Sequence, residues 1–219
     1  MTLAELITSV RGLLDDDSYD EGIIMEASNW VVEELANNNN LRIYEASEEL
    51  NADSGDTDMA FPDDFKRIIN FYLTSPQSYD MMNGYISYGD FMKNNAAFAS
   101  NTSSQAQKWT DFANGVRFYA PLNAAHTFLC DYVRRPVAVE AEEDEYDFPQ
   151  GYNEILSKLT LARIMERNED YAEAQQERAN LDPLVTTFIR NESRGQIKTG
   201  PVIMRTNRRR HSRGLVEDF

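Results

Sequence analysis

The segment GVRFYAPLNAAHTFLCDYVRRP, residues 115–136, decides the predicted fold because it holds two runs in which apolar and polar residues alternate. Alternation with a period of two is typical of half-buried β-strands, so the segment predicts strands at about 116–120 and 126–135. A break at Pro121 lets the two strands fold back on each other. Pro136 ends the second strand because proline has no N–H group to donate to a sheet.

The chain on both sides of this segment has the spacing of amphipathic helices. Apolar residues three and four positions apart predict four helices, at about 2–14, 19–37, 150–167 and 169–192. Thr2 with Glu5, and Ser18 with Glu21, match the capping box that marks a helix start. The turn at residues 61–65 leads into a third strand predicted at about 67–74.

These elements predict a mainly α fold of the α+β class, a helical bundle body with a small antiparallel β element and an extended C-terminal arm. The body spans residues 1–192 and the arm residues 193–219. Residues 41–60 mix strand-like fragments with an acidic surface loop. Residues 75–108 are an insertion rich in methionine and aromatic residues, which can either serve a partner surface or pack on the body.

Charge divides the chain into an acidic body and a basic tail. The net charge is −16, but residues 190–219 hold eight basic and three acidic residues, a balance of +5, which leaves −21 for residues 1–189. The tail has no helical period and too few apolar residues for a core, so it is expected to order only on a partner. The predicted partner-binding residues of this arm are Ile197, Val202, Ile203, Met204, Arg205, Arg208, Arg209, Arg210, Arg213, Leu215 and Phe219.

The sequence offers little material for catalysis or for a cofactor. A single cysteine, Cys130, excludes an internal disulfide and lies in an apolar strand as a core residue. With only two histidines a zinc-type site is not expected, and the acidic runs at 15–17 and 140–147 are interpreted as solvated loops. No apolar stretch approaches the roughly 18 residues of a membrane span. We therefore expect no enzyme activity, no cofactor, no metal and no membrane.

Three pieces of the chain, in this order, resemble the head-to-tail adaptor proteins of tailed double-stranded DNA phages, of the short-tailed type. They are FPDDFKRIINFYL (61–73), WTDFANGVRFYAPLNAAHTFLCDYVRRP (109–136) and FPQGYNEILSKLTLARIMERNEDYAEA (148–174). The shared motifs are a proline turn before a strand, two strands closing on a basic pair and proline, an acidic loop and a helix pair. The insertion at 75–108 is longer than the family leads one to expect.

The resemblance implies a structural virion protein at the head-tail junction, made in the host cytoplasm. Such a protein forms a homo-oligomeric ring of twelve copies beneath the portal ring, extends the DNA channel and offers a platform to tail or nozzle proteins. It also implies that the C-terminal arm binds the portal. An acidic channel wall lets double-stranded DNA pass without specific binding, because it repels the phosphates.

Two other functions are weighed against this one. The first is a nucleic-acid-binding protein that uses the basic tail, although no aromatic residues interleave the arginines at 205–213. The second is an acid/base hydrolase that uses Asp63, Asp64 and Asp131, but the chain lacks the Gly-x-Ser-x-Gly and His-Glu-x-x-His motifs of such enzymes.

Overall fold

The computed structural model describes residues 1–193 of the chain, which form five α-helices and seven β-strands. The helices are α1 (Leu3–Leu14), α2 (Glu21–Asn38), α3 (Tyr88–Asn94), α4 (Asn153–Arg167) and α5 (Tyr171–Glu192). The strands are β1 (Glu45–Ala52), β2 (Asp58–Ala60), β3 (Phe65–Ser75), β4 (Tyr79–Asp80), β5 (Trp109–Phe112), β6 (Gly115–Phe118) and β7 (His126–Arg134). The arm residues predicted beyond 193 lie outside this description, so the division into body and arm stays a prediction.

The strands form two antiparallel sheets, which corrects the predicted helical bundle with a small β element. One sheet has the order β1-β7-β3-β4 and the other the order β2-β6-β5. The strands predicted at 116–120 and 126–135 do not pair with each other, because β6 and β7 lie in different sheets. β6 instead pairs with β5 across the two-residue turn at Ala113 and Asn114, where Ala113 has a positive φ of 52°. Residues 119–125 connect β6 to β7, whereas only two residues connect β5 to β6. The shorter connection favours a hairpin of β5 with β6.

Strand pairing along both edges of β7 makes the β part larger than predicted. β7 pairs with β1 along one edge and with β3 along the other, so it is the inner strand of its sheet. Its alternate residues Phe128, Cys130 and Tyr132 point into a core shared by the two sheets, whereas Val133 joins the core of the helices. The molecule therefore has two hydrophobic cores that meet at β7.

β1 and β2 fall in a stretch that the sequence predicted as strand fragments and loop. Leu50 and Ala52 of β1 are buried at alternate positions, and Met59 of β2 is buried beside them. The alternation of Tyr44, Ala46, Leu50 and Ala52 was the available signal for β1. Three glutamates in this strand obscure that alternation in the sequence. They are tolerated in the folded sheet because β1 is an edge strand that faces solvent.

Side-chain caps mark the starts of α1, α2 and α3. Thr2 and Glu5 form the predicted capping box, in which the Glu5 N–H donates to Thr2 Oγ1 over 3.2 Å and the Thr2 N–H donates to Glu5 Oε2 over 3.0 Å. α2 begins two residues later than predicted because Asp20, not Ser18, caps it through the Ile23 N–H, 3.0 Å from Asp20 Oδ1. α5 also begins two residues later than predicted, at Tyr171, but its N-cap residue Asp170 makes no side-chain capping hydrogen bond.

The insertion at 75–108 packs on the β core. Met81 and Phe91 are fully buried, and the Trp109 indole N–H donates to the Met81 carbonyl oxygen over 2.6 Å. β4 within the insertion pairs with Tyr72 and Leu73 of β3 and so extends the first sheet. Packing on the body therefore accounts for part of the insertion, while other aromatic residues in it stay on the surface.

Candidate assembly surfaces

All eleven residues of the predicted partner-binding arm lie beyond Ser193, outside the described residues. The structure does place Ser193, the last described residue. Ser193 follows α5 and forms a β-bridge with Leu41, at the connection between α2 and β1. The Ser193 N–H also donates to the Ile189 carbonyl oxygen over 2.7 Å. The last described residue therefore lies at the junction of the helices and the first sheet.

The carboxylates weighed for a hydrolase do not share a cleft. Asp64 Oδ1 accepts a hydrogen bond from the Tyr132 hydroxyl over 2.9 Å, and burial together with this acidic neighbour raises the pKa of Tyr132. Asp131 accepts from Ser47 over 2.7 Å and from Asn70 over 3.0 Å, bonds that join β1, β3 and β7. Asp63 is exposed. Asp64 and Asp131 thus serve as hydrogen-bond acceptors within the fold.

The acidic run at 140–147 has a structural role in addition to the solvated one predicted. The Asp144 side chain accepts hydrogen bonds from the backbone N–H groups of Glu140 and Ala141, each over 2.9 Å, and these bonds lower the pKa of Asp144. Carbonyl oxygens of Asp144 and Glu142 accept from the N–H groups of Leu3 and Ala4 at the start of α1. Negative charge near a helix N-terminus is favourable.

Cys130 and His126 are both core residues. Cys130 is fully buried, and burial raises the pKa of its thiol to about 12, so it is not a thiolate at neutral pH. His126 is also buried, with Nδ1 2.7 Å from the Ala124 carbonyl oxygen and Nε2 3.5 Å from the Ala106 N–H. Within residues 1–193 no cluster of three or more His, Cys, Asp or Glu side chains is placed to hold a metal ion.

The β part of the surface exposes a group of large apolar side chains. They are Tyr72, Tyr79, Met82, Tyr85, Tyr88 and Phe112. Tyr85 is 46% exposed although its ring packs edge-on against Trp109 and its hydroxyl donates to Asp111 over 2.7 Å. A groove of about 320 Å³ separates Met82 and Tyr85 from residues 65–68 of β3. Exposed apolar side chains that line a groove, as Met82 and Tyr85 do, are typical of interaction sites.

The helical part has a second indentation, of about 590 Å³, between α2, α4 and the start of α5. Arg163 lies over the Trp30 ring, 3.8 Å from its centroid, and also pairs with Glu166 over 3.0 Å. Arg167 pairs with Glu26 over 2.7 Å. Both arginines that line this surface are therefore already paired within the subunit. Among the helices of the described residues, none is long and apolar enough to cross a bilayer.

A basic cluster stands out on the acidic body. Lys66 and Arg67 of β3 and Arg135 just after β7 take part in none of the ion pairs found within residues 1–193. Lys66 Nζ donates to the Ala36 carbonyl oxygen near the end of α2, which supplies the positive charge that a helix C-terminus favours. Burial, then the positive charges of Arg67 and Arg135, lower the pKa of Lys66, while Glu33 opposes this effect.

Comparison with known protein families gives a match. The model of a family described as SU10 adaptor protein matches residues 1–205. None of the curated proteins compared with the chain matches it. The matched range includes both sheets, all five helices and the first part of the predicted arm. The match also confirms the resemblance to head-to-tail adaptors drawn from the sequence.

Proposed function

The chain belongs to the SU10 adaptor protein family and is a structural adaptor protein of a phage, and from this premise we propose that it forms a ring beneath the portal. In this proposal the ring extends the DNA channel and offers the tail its attachment platform. The observation that carries the proposal is the family match over residues 1–205.

The charge of the chain supports a channel through which DNA slides. The residues before 190 have a net charge of −21. An acidic wall repels the phosphate backbone, whereas a basic wall binds it by releasing counterions. Double-stranded DNA accordingly passes the ring without specific binding.

The arm is the second part of the proposal. Beyond Ser193 the chain continues for 26 residues, which span at most about 90 Å when fully extended. That length is enough to leave the subunit and follow a neighbouring protein. Its arginines meet acidic groups on the portal, and its dispersed apolar residues gain contact area as the arm orders there.

The test is a truncated chain that ends at Ser193. It keeps α1 to α5 and both sheets, so its circular dichroism spectrum and melting temperature should stay close to those of the full chain. It should no longer be incorporated onto purified portal rings. Normal loading of portals by the truncated chain would refute the assignment of the arm.

A matched variant separates the arm's charge from its length. The full chain with Arg205, Arg208, Arg209, Arg210 and Arg213 changed to glutamine should load portals weakly, with a loss that shrinks as salt rises. Salt-dependent DNA binding by the full chain, lost in the same variant, would instead support the nucleic-acid-binding alternative.

A further inference from the structure

The four-stranded sheet has two open edges on its opposite sides. β1 ends the strand order and pairs with β7 along one side only. β3 pairs with β7 along its length, but β4 covers its other side only at Tyr72 and Leu73. In the described part of the chain, no further backbone hydrogen bond from outside the sheet reaches residues 46–51 or 66–71. Within the described residues, no strand therefore pairs with the outer side of β1 or of residues 66–71.

The two open edges carry opposite charges. β1 exposes Glu48 and Glu49, whereas β3 exposes Arg67; the Lys66 ammonium is already bonded to the Ala36 carbonyl oxygen of α2. Like charges on neighbouring strands destabilise pairing and opposite charges favour it. Charged residues also protect open edges from unspecific association. These charges oppose pairing of β1 with β1 or of β3 with β3, and they favour pairing of β1 with β3.

An apolar groove lies beside the open edge of β3. Its walls include Phe65 and Ile68 on the side of β3, and Met82 and Tyr85 on the other side. Peptide recognition by strand addition combines backbone hydrogen bonds at an open edge with contacts in an adjacent groove. The edge of β3 offers both kinds of contact.

We propose that β1 of one copy of this chain pairs with residues 65–71 of β3 in the next copy. The four-stranded sheets of adjacent subunits then join side by side. Two different surfaces meet in such a contact, so it is heterologous and generates a ring when the rotation between subunits closes. The inference rests on the proposed function for the ring and names the surfaces from which the ring is built.

Two single substitutions test the pairing by charge. Glu49→Lys places a basic residue on both edges and Arg67→Glu places an acidic residue on both, so each variant alone should associate about tenfold more weakly. An equimolar mixture should restore association, because each variant's altered edge then meets a complementary one. Glu173→Lys on α5 and Lys93→Glu on α3 are the matched controls, since both positions are exposed and lie off the sheet edges.

Native mass spectrometry of adaptor on portal rings is the measurement. Wild-type chain at limiting amounts should give portals that are either empty or full, and each single variant should give partly filled ones. The mixture should return to the wild-type pattern. Unchanged loading by both variants, or a mixture no better than its parts, overturns the pairing.

A cross-linking experiment detects the proposed contact between β1 and β3 directly, without relying on portal loading. The chain that carries both Glu49→Cys and Arg67→Cys is treated at high concentration with a short bifunctional maleimide, and Cys130 is buried and inert. A ladder of oligomers supports the pairing even if portal binding fails, in which case only the proposed function is refuted. Loading of portals without any ladder, in solution or on the portal, refutes the pairing and leaves the proposed function intact.

Discussion

Replacement of Trp109 by phenylalanine tests whether the insertion is an integral part of the β core. Trp109 is 2% exposed, and its indole N–H donates to the Met81 carbonyl oxygen over 2.6 Å. Its ring packs edge-on against Phe71 and Tyr85, with centroids 5.3 Å and 5.1 Å away. The indole thus joins β5 to the insertion and to β3.

The size of the effect follows from two losses. Phenylalanine has no N–H group, so the buried Met81 carbonyl oxygen loses this hydrogen bond, at a cost of about 1–3 kcal/mol. The smaller ring also leaves a cavity, which adds roughly 1 kcal/mol. For a folded part of this size, about 2–4 kcal/mol corresponds to a fall in melting temperature of roughly 4–16 °C.

Thermal unfolding followed by circular dichroism measures this fall, and the chain supplies its own control. Trp30, the other of its two tryptophans, is 37% exposed and packs under Arg163. Trp30→Phe should cost no more than about 1 kcal/mol, the strength of an exposed cation–π contact. If Trp109→Phe melted at the same temperature as Trp30→Phe, the insertion would not be anchored as the structure describes.

Three further predictions concern single positions. Gly115→Ala should strongly destabilise the chain in thermal melts, because a Cβ there lies 2.3 Å from the Met59 carbonyl oxygen, whereas Gly89→Ala meets nothing within 4 Å and should not. Asp144→Ala should destabilise the chain at neutral pH. The difference should vanish in acid unfolding curves once pH falls below the lowered pKa of Asp144, where the wild-type carboxylate is protonated too. Cys130 should resist thiol reagents at pH 8 in the folded protein and react after denaturation, because burial raises its pKa to about 12; rapid native labelling would contradict this.

The helices were the most predictable part of the fold. The capping box at Thr2 and Glu5, and the apolar spacing in α4, are local signals that lie within a few residues of the elements they define. Helix starts were less certain, since Ser18 and Asp20 both match a cap and only the observed hydrogen bond to Ile23 distinguishes them. The acidic character of residues 1–189 and the order of motifs that resembles an adaptor were likewise visible in the sequence, whereas the arm stays a prediction.

The pairing of strands could not be predicted in the same way. Alternation in β6 and β7 indicates two strands, but it does not specify which strand lies next to which. β7 pairs with β1, which is more than 70 residues away along the chain, and the register places Glu45 opposite Val133. The candidate surfaces follow from that topology, because the open edges of β1 and β3 exist only once the strand order is fixed.

The amino-acid sequence by itself determined where helices form, which part of the chain is acidic and which is basic, and the family resemblance. All of these depend on neighbouring residues or on composition. Only the tertiary structure decided that β6 and β7 belong to different sheets and that Glu49 and Arg67 stand at opposite edges of one sheet. The physical reason is that strand pairing joins distant segments through backbone groups that every residue shares, so its choice of partners depends on how both cores pack.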